Sequence, residues 1–326
     1  KKSVYISLNF NLFMRHYINS CKCQGKNGRI MKSKMIIAVT AFLLFLFCML
    51  TVTYYAKRKI NEPVDNYNFD YSTCLNYKVK DNYGQPGHER FRTILHRENT
   101  FAQYVKLLEE FNSADNFRYI EAHDVLLQYV GLYPNGDSFI PGYGSLSEEE
   151  LESFINQRAK AEDGSIINIT NIKGALISEK AFTEDLSLQA HVVRGNAFSA
   201  SDFLYNGNRI PVLLGYDYLE LYQIGDVITV LYAGYPLELK VIGFLDNTSS
   251  VHIGSTDISL DTYILLPSFD IEAEYAKNNQ IFSNLHYSHK TRGFFTVTKN
   301  VEEAINEFEE IVEKSGLDYV YFPLPE

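Results

Sequence analysis

The sequence predicts an α+β protein with one membrane-spanning helix near its N-terminus, followed by two separated βαβ units with a β-rich segment inserted between them. Three observations support this prediction. The first 60 residues contain a long run without charge, the two ends of the remainder alternate between strand and helix periodicity, and the middle is rich in turn residues and short apolar runs. With 46% hydrophobic and 21% charged residues, the chain has enough apolar surface to fold, which excludes a mainly disordered protein.

The run without charge covers residues 35–55. As a helix it would be about 31 Å long, which matches a hydrocarbon core of about 30 Å. Eight basic residues precede this run, three follow it by residue 59, and no acidic residue occurs before Glu62. Because the more basic flank stays inside, we predict that residues 1–34 are cytoplasmic and that residues 60–326 lie outside the cell membrane.

Two other interpretations of the apolar run remain open. It could be the core of a cleaved signal peptide that starts at Met31, although Tyr54 stands where a small residue is wanted before cleavage after Ala56. It could also precede a lipoprotein cysteine at Cys48, but Phe47 occupies the position of a small residue there. The retained anchor is the leading prediction.

The predicted exterior is strongly acidic and has little means of covalent stabilisation. Residues 60–326 carry 19 basic and all 40 acidic residues, a net charge of −21, which disfavours a nucleic-acid partner. Of the four cysteines, only Cys74 falls in this part, so no intrachain disulfide is expected outside the membrane. A large exterior without disulfides favours a bacterial protein.

The two ends of the exterior each contain a strand, a helix and a strand. The predicted elements are strands at 75–79, 117–130 (with a possible interruption around 122–124), 293–298 and 317–322 and helices at 98–111 and 301–314. Two βαβ units in this order are typical of a split, ferredoxin-like and porter-type sandwich. We therefore assign residues 60–131 and 290–326 to one membrane-proximal subdomain, with the two helices on the same face of one sheet.

Residues 132–289 form the predicted insertion, a β-rich subdomain. Ser147 and Glu150 have the spacing of a helix capping box. Short strands are predicted at 210–214, 227–232 and 237–245. The segment 286–289, which contains two histidines, is predicted to be a polar loop, and its spacing is not that of a metal-binding helix.

Three segments of the insertion carry a recognisable pattern: an arginine–glycine pair followed by phenylalanine and aspartate, an apolar strand with a glycine turn, and a closing strand with valine and glycine. The residues are Arg194, Gly195, Phe198, Asp202, Gly215, Gly225, Asp226, Val241 and Gly243. Together they resemble the periplasmic core domain of MacB-like and FtsX-like ABC transporter permeases. The glycines suit positive φ, close approach or a strand bulge, so the expected role of the pattern is structural.

The resemblance implies a non-catalytic transport component. In such a permease the exterior domain couples ATP hydrolysis by a cytoplasmic ABC ATPase subunit to export or envelope work. The implied partners are that ATPase, a second permease copy, membrane lipid, and a peptide or lipid-linked substrate. The family has four or more membrane spans, whereas this sequence stops at Glu326 where a second span is expected, so we expect a permease fragment.

The residues themselves indicate no catalytic chemistry. Gly25-Lys26 lacks the loop of a nucleotide site, and the glutamates at 148–150, 302–303 and 309–310 fit solvated helix faces. No cofactor or metal is predicted. The alternative function is a single-pass, surface-anchored protein that binds a ligand or senses a signal, and an anchored enzyme comes third.

Overall fold

A computed structural model describes most of the predicted exterior, all of it within the compact unit Asn66–Glu326. The described residues are 75–84, 88–152, 154–155, 157–160, 165–205, 207–253 and 256–324. The predicted cytoplasmic segment 1–34, the predicted span 35–55 and all four cysteines lie outside them. Among the described residues, no helix combines the length and the apolar character needed to cross a membrane.

Strands and helices are both numerous in the described part. The strands are β1 (Asn76–Asp81), β2 (Phe117–Ile120), β3 (Ala122–Val130), β4 (Gln157–Lys160), β5 (Ile166–Ile177), β6 (Val192–Gly195), β7 (Leu204–Tyr205), β8 (Ile210–Leu214), β9 (Val227–Tyr232), β10 (Tyr235–Leu245), β11 (Ser250–Ile253), β12 (Thr256–Ser259), β13 (Ile264–Pro267), β14 (Asp270–Ile271), β15 (Phe294–Val297) and β16 (Tyr319–Pro323). The helices are α1 (Glu89–His96), α2 (Thr100–Asn112), α3 (Glu148–Glu152), α4 (Ala273–Asn278), α5 (Gln280–Lys290) and α6 (Val301–Ser315). This composition confirms the predicted α+β class.

The two ends of the described chain share one sheet. Its order is β16-β1-β15-β2, and all three pairings are antiparallel. Phe295 is central to this sheet, because it pairs with Tyr77 on β1 and with Tyr119 on β2. The predicted neighbourhood of the strands near 117–119 and 294–297 is confirmed by the pairing of Val297 with Phe117.

Helices α2 and α6 pack together, as the sequence predicts for the two βαβ units. The ring of Phe308 on α6 stacks on Phe111 of α2 at 5.3 Å and on Phe295 of the sheet at 5.2 Å. Phe101 of α2 is only half-buried and meets Tyr287 of α5 at 4.8 Å. One side of α2 therefore packs towards α5.

Five strands of the predicted insertion close into a six-stranded barrel with β3, which lies before residue 132, whereas the sequence predicted a β-rich subdomain formed by 132–289 alone. The strand order is β13-β8-β10-β9-β3-β5, and β5 pairs again with β13. The pairings of β8 with β10 and of β5 with β13 are parallel, and the other four are antiparallel. Closure leaves no free edge in these six strands. Apolar side chains such as Leu127, Val230 and Leu239 are fully buried.

Two local predictions differ from the structure. The predicted interruption of the strand at 117–130 is present, but it falls at Glu121 and not at 122–124, because the chain leaves the four-stranded sheet at Ile120 and enters the barrel at Ala122. Helix α1 was not predicted; its apolar residues Phe91, Ile94 and Leu95 form too short a pattern to stand out from its polar neighbours. The predicted capping box is present, since Ser147 N donates to Glu150 Oε2 at 3.0 Å and Glu150 N donates to Ser147 Oγ at 3.3 Å.

Candidate functional site at the junction of sheet and barrel

Helix α5 lies where the helices of the four-stranded sheet meet the barrel. On one side it packs against α1 and α2, and Asn284 Nδ2 donates to the carbonyl oxygen of Leu95 at 2.8 Å. On the other side Phe282 contacts the ring of Tyr235, the first residue of barrel strand β10, at 5.2 Å. The prediction of a polar loop at 286–289 was wrong, because this segment is helical and is enclosed from two sides.

The polar residues of α5 are accommodated inside the protein by local hydrogen bonds. Ser283 Oγ donates to the carbonyl oxygen of Asn279 at 3.0 Å, and Ser288 Oγ donates to that of Leu285 at 2.7 Å. Such bonds satisfy hydroxyl groups within the helix itself. A polar sequence therefore does not require an exposed helix here.

His286 is a fully buried link between α5 and the barrel. Its Nε2 lies 2.8 Å from the carbonyl oxygen of Phe269, and its Nδ1 lies 3.3 Å from the hydroxyl of Tyr232. Since a carbonyl only accepts, Nε2 carries the proton and Nδ1 accepts from the tyrosine, which defines a neutral ring. Burial lowers the pKa of His286 well below its usual value, and this agrees with the neutral form.

Lys290, the last residue of α5, is the centre of a buried ionic cluster. Its Nζ donates to Asp270 Oδ1 at 2.8 Å and to the carbonyl oxygens of Ser268 and Phe269 at 3.0 and 3.2 Å. The same atom lies 3.3 Å from Glu121 Oε1, which also accepts a hydrogen bond from Ser268 Oγ. The side chain of Lys290 is only 4% exposed, so these bonds replace its hydration.

The charge states of this cluster follow from burial and from the pairing of its members. Burial raises the pKa of the Glu121 carboxyl, and the neighbouring Lys290 opposes that shift. For Lys290 burial acts to lower the pKa, but Glu121 and Asp270 outweigh it and the pKa is raised. The lysine therefore stays protonated, so it cannot serve as a general base.

The Glu121–Lys290 ion pair joins the two points at which the chain passes between the four-stranded sheet and the barrel. Glu121 is the single residue between β2 and β3, and Lys290 ends α5 shortly before β15. Tyr119 adds a second link, because its hydroxyl donates to the carbonyl oxygen of Lys290 at 2.8 Å and accepts from Gly293 N at 2.9 Å. Movement of the four-stranded sheet relative to the barrel would strain these bonds.

Two further histidines line the junction. The rings of His123 on β3 and His289 on α5 lie 5.7 Å apart, and in the described part of the chain neither buried Nδ1 has a hydrogen-bond partner. Burial lowers the pKa of both rings, to about 3 for His289, and the positive charge of Arg292 acts in the same direction. Arg292 itself is paired with buried Asp81 at 2.6 Å.

The glycines of the family-like pattern lie on the barrel, where backbones approach closely. Gly195 on β6 pairs with Gly243 on β10, and a Cβ on Gly195 would lie 2.3 Å from the carbonyl oxygen of Ile242. A Cβ on Gly243 would lie 2.6 Å from that of Asn196, and the predicted bulge is present as a register shift between Val241 and Gly243. A side chain at either position would therefore collide with neighbouring backbone.

Gly215 and Gly225 also occupy the kinds of position that the sequence predicts. A Cβ on Gly215 would lie 2.0 Å from the carbonyl oxygen of Leu260, so only glycine fits without movement. Gly225 has φ +97° and lies in a turn. Asp226 closes this turn, because its Oδ2 accepts a hydrogen bond from Gln223 N at 2.8 Å.

The other members of the pattern pack on or near the barrel wall. Phe198 contacts Phe182 at 5.0 Å, Asp202 caps a short 3-10 helix by accepting from Ser199 N at 2.7 Å, and Arg194 lies 5.3 Å from the ring centre of Phe244. Val241 is fully buried on β10. None of the nine described residues of the pattern belongs to the ionic cluster.

Of the junction residues, only His286 was considered from the sequence, as part of the predicted polar loop; Glu121, Ser268, Asp270 and Lys290 were not singled out. They are far apart along the chain, and each is a single polar residue without a motif. Among the residues that the structure describes, no group of three or more histidine, cysteine or acidic side chains is placed to hold a metal ion. No protein-family model and no curated protein matches this chain.

Proposed function

We propose that the chain is the exterior part of a MacB-like or FtsX-like ABC transporter permease, and that it works mechanically, without catalysis. Movement from a membrane anchor would enter the four-stranded sheet and reach the barrel through α5. A cytoplasmic ATPase would supply the energy, and a second permease copy would complete the transporter. Cargo would be a peptide or a lipid-linked molecule.

One observation carries this proposal: α5 is enclosed between the two parts, and the Glu121–Lys290 pair ties together the two passages of the chain. A buried, hydrogen-bonded ion pair resists separation of its partners, because either charge alone would be left without compensation. The junction therefore suits transmission of displacement from one part to the other. The split βαβ order and the positions of the patterned glycines support the same family.

A reconstituted complex tests this function. The chain is co-expressed with a candidate ABC ATPase subunit from the same genome, purified, and assayed for ATP hydrolysis in lipid nanodiscs. We expect co-purification, and we expect K290M to weaken coupling, measured as the ATPase rate that the permease chain stimulates, while the complex stays assembled. The matched variant K314M changes an exposed lysine and should leave coupling intact. A chain that purifies without any ATPase, or a K290M complex with normal coupling, would contradict the proposal.

The alternative of a surface-anchored binding or sensing protein is favoured by a different observation. A cleft of about 720 Å³ opens at the junction, which is large enough for a small ligand. A sensor would retain its anchor and function without an ATPase, so the co-purification experiment separates the two functions.

A further inference from the structure

The cleft at the junction has the size and the floor of a binding site. It lies between α2, the short helical segment 179–185 that follows β5, and the C-terminal end of α5, and its volume of about 720 Å³ falls within the range of roughly 300–1,000 Å³ that is typical of ligand pockets. Its floor includes the paired side chains of Glu121 and Lys290. Polar groups that are buried and charged at the base of a cleft are common at functional sites.

The walls combine apolar surface with negative charge. Val105 and Leu108 of α2 line the cleft, and Phe203 also contributes to it. Glu109 lies on α2 and Glu179 on the short helical segment 179–185 after β5, so the carboxylates come from both parts of the protein. Both are exposed, and neither has an ion-pair partner among the described residues.

The remaining charges also leave the cleft negative. On the rim, Lys180 is offset by Glu184, and the neighbouring Arg118 is paired with the buried carboxylate of Asp185. On the floor, the single charge of Lys290 is shared between Glu121 and Asp270. The cleft therefore repels anions and attracts cations.

We propose that this cleft binds a small organic cation whose ammonium groups are carried on an aliphatic chain, the chemistry of a linear polyamine. The carboxylates of Glu109 and Glu179 would receive the ammonium groups, and the apolar walls would contact the methylene groups between them. A hydrated metal ion gains nothing from apolar walls, and the described residues hold no cluster of three metal-binding side chains. This inference goes beyond the transport function and does not depend on it.

Calorimetric titration of the 326-residue chain with spermidine at neutral pH tests the inference. We expect saturable binding at one site and, in hydrogen exchange, added protection at 105–112 and 178–184. The double variant E109Q/E179Q should weaken binding about fivefold to tenfold, since two exposed ion pairs are lost. The control E303Q/E313Q removes the same charge from exposed positions on α6, outside the cleft, and should bind normally.

Three results would overturn the inference: no saturable binding at millimolar spermidine, equal weakening in both double variants, or full displacement of spermidine by an equal concentration of Mg²⁺. The last two would indicate attraction to the acidic surface as a whole. Each of these results leaves the transport proposal untouched, because that proposal is measured by ATPase coupling.

Discussion

Helices α5 and α6 are both held by burial, but they are built in opposite ways. On α6 the buried residues Ala304, Phe308 and Ile311 form one face, and the acidic remainder is exposed. On α5 most residues are buried, including serine, asparagine, histidine and lysine. Helix α6 packs on one side, whereas α5 is enclosed by α1 and α2 on one side and by the barrel on the other.

This difference shows what an amphipathic pattern measures. Periodic alternation of apolar and polar residues identifies a helix that buries one face and exposes the other to solvent. A helix between two layers can lose that alternation when its polar atoms find partners inside the protein, as His286 and Lys290 do. Polar composition alone therefore does not place a segment at the surface.

The largest effect is expected from removing one aromatic ring in each helix. Phe282→Ala in α5 and Phe308→Ala in α6 should each lower the free energy of unfolding by about 3–5 kcal/mol, because both rings are buried. Ile281→Ala, at an exposed position of α5, should cost less than about 1 kcal/mol. Urea denaturation measures all three, and a small loss for Phe282→Ala would mean that α5 is not a packed helix.

A lysine in each helix sharpens the comparison of buried with exposed charge. Lys290→Met leaves the buried Glu121 carboxylate without its cation and should destabilise the fold by about 3–5 kcal/mol, to which the mostly exposed Asp270 adds little. Lys314→Met in α6 breaks an exposed pair with Glu310 and should cost no more than about 0.5 kcal/mol. Equal losses in the two variants would show that the Lys290 cluster is not buried.

A double variant separates the pairing of Lys290 from its packing. Since the main penalty of Lys290→Met is an unpaired buried carboxylate, Glu121→Gln in the same chain should recover about 1–3 kcal/mol of that loss. Strictly additive losses in the double-mutant cycle would argue against direct coupling of the two residues.

Acid should weaken the junction through its histidines. His289 is neutral in the folded protein, with a pKa of about 3, and takes up a proton on unfolding at its ordinary pKa of about 6.5. Stability is therefore complete above about pH 6.5 and falls as the pH drops towards 3, by about 2 kcal/mol at pH 5 from this ring. The free energy of unfolding should depend less on pH in His289→Gln than in the wild type. The same dependence on pH in both proteins would count against a neutral buried ring.

The smallest effect concerns the start of each helix. Asn300 caps α6, with its Oδ1 accepting from Glu302 N at 2.8 Å, so Asn300→Ala should cost about 1 kcal/mol. Asn279 precedes α5 but its side chain caps no helical N–H, so Asn279→Ala should cost less than about 0.5 kcal/mol. Thermal unfolding compares the two variants. A larger stability loss for Asn279→Ala than for Asn300→Ala would indicate that α5 depends more on its N-terminal residue than on packing against neighbouring elements.

The sequence was informative wherever structure depends on local pattern. The strands and helices near the two ends were predictable from the periodicity of apolar residues. The glycines at 195, 215 and 243 lie where two backbones approach closely and a side chain would not fit. Barrel closure was not predictable, because the pairing of β5 with β13 joins residues about 90 apart and no local signal records it. The ionic cluster was missed for the same reason, since Glu121 and Lys290 meet only through the fold.

The central claim is that the Lys290 cluster joins the four-stranded sheet and the barrel into one cooperative unit. Hydrogen exchange followed by mass spectrometry in increasing urea tests it directly, with β15 reporting on the sheet and β9 on the barrel. In the wild type the two strands should reach the same opening free energy and the same dependence on urea, and in Lys290→Met they should separate. Different opening energies in the wild type, or strands that still open together in the variant, would contradict the claim.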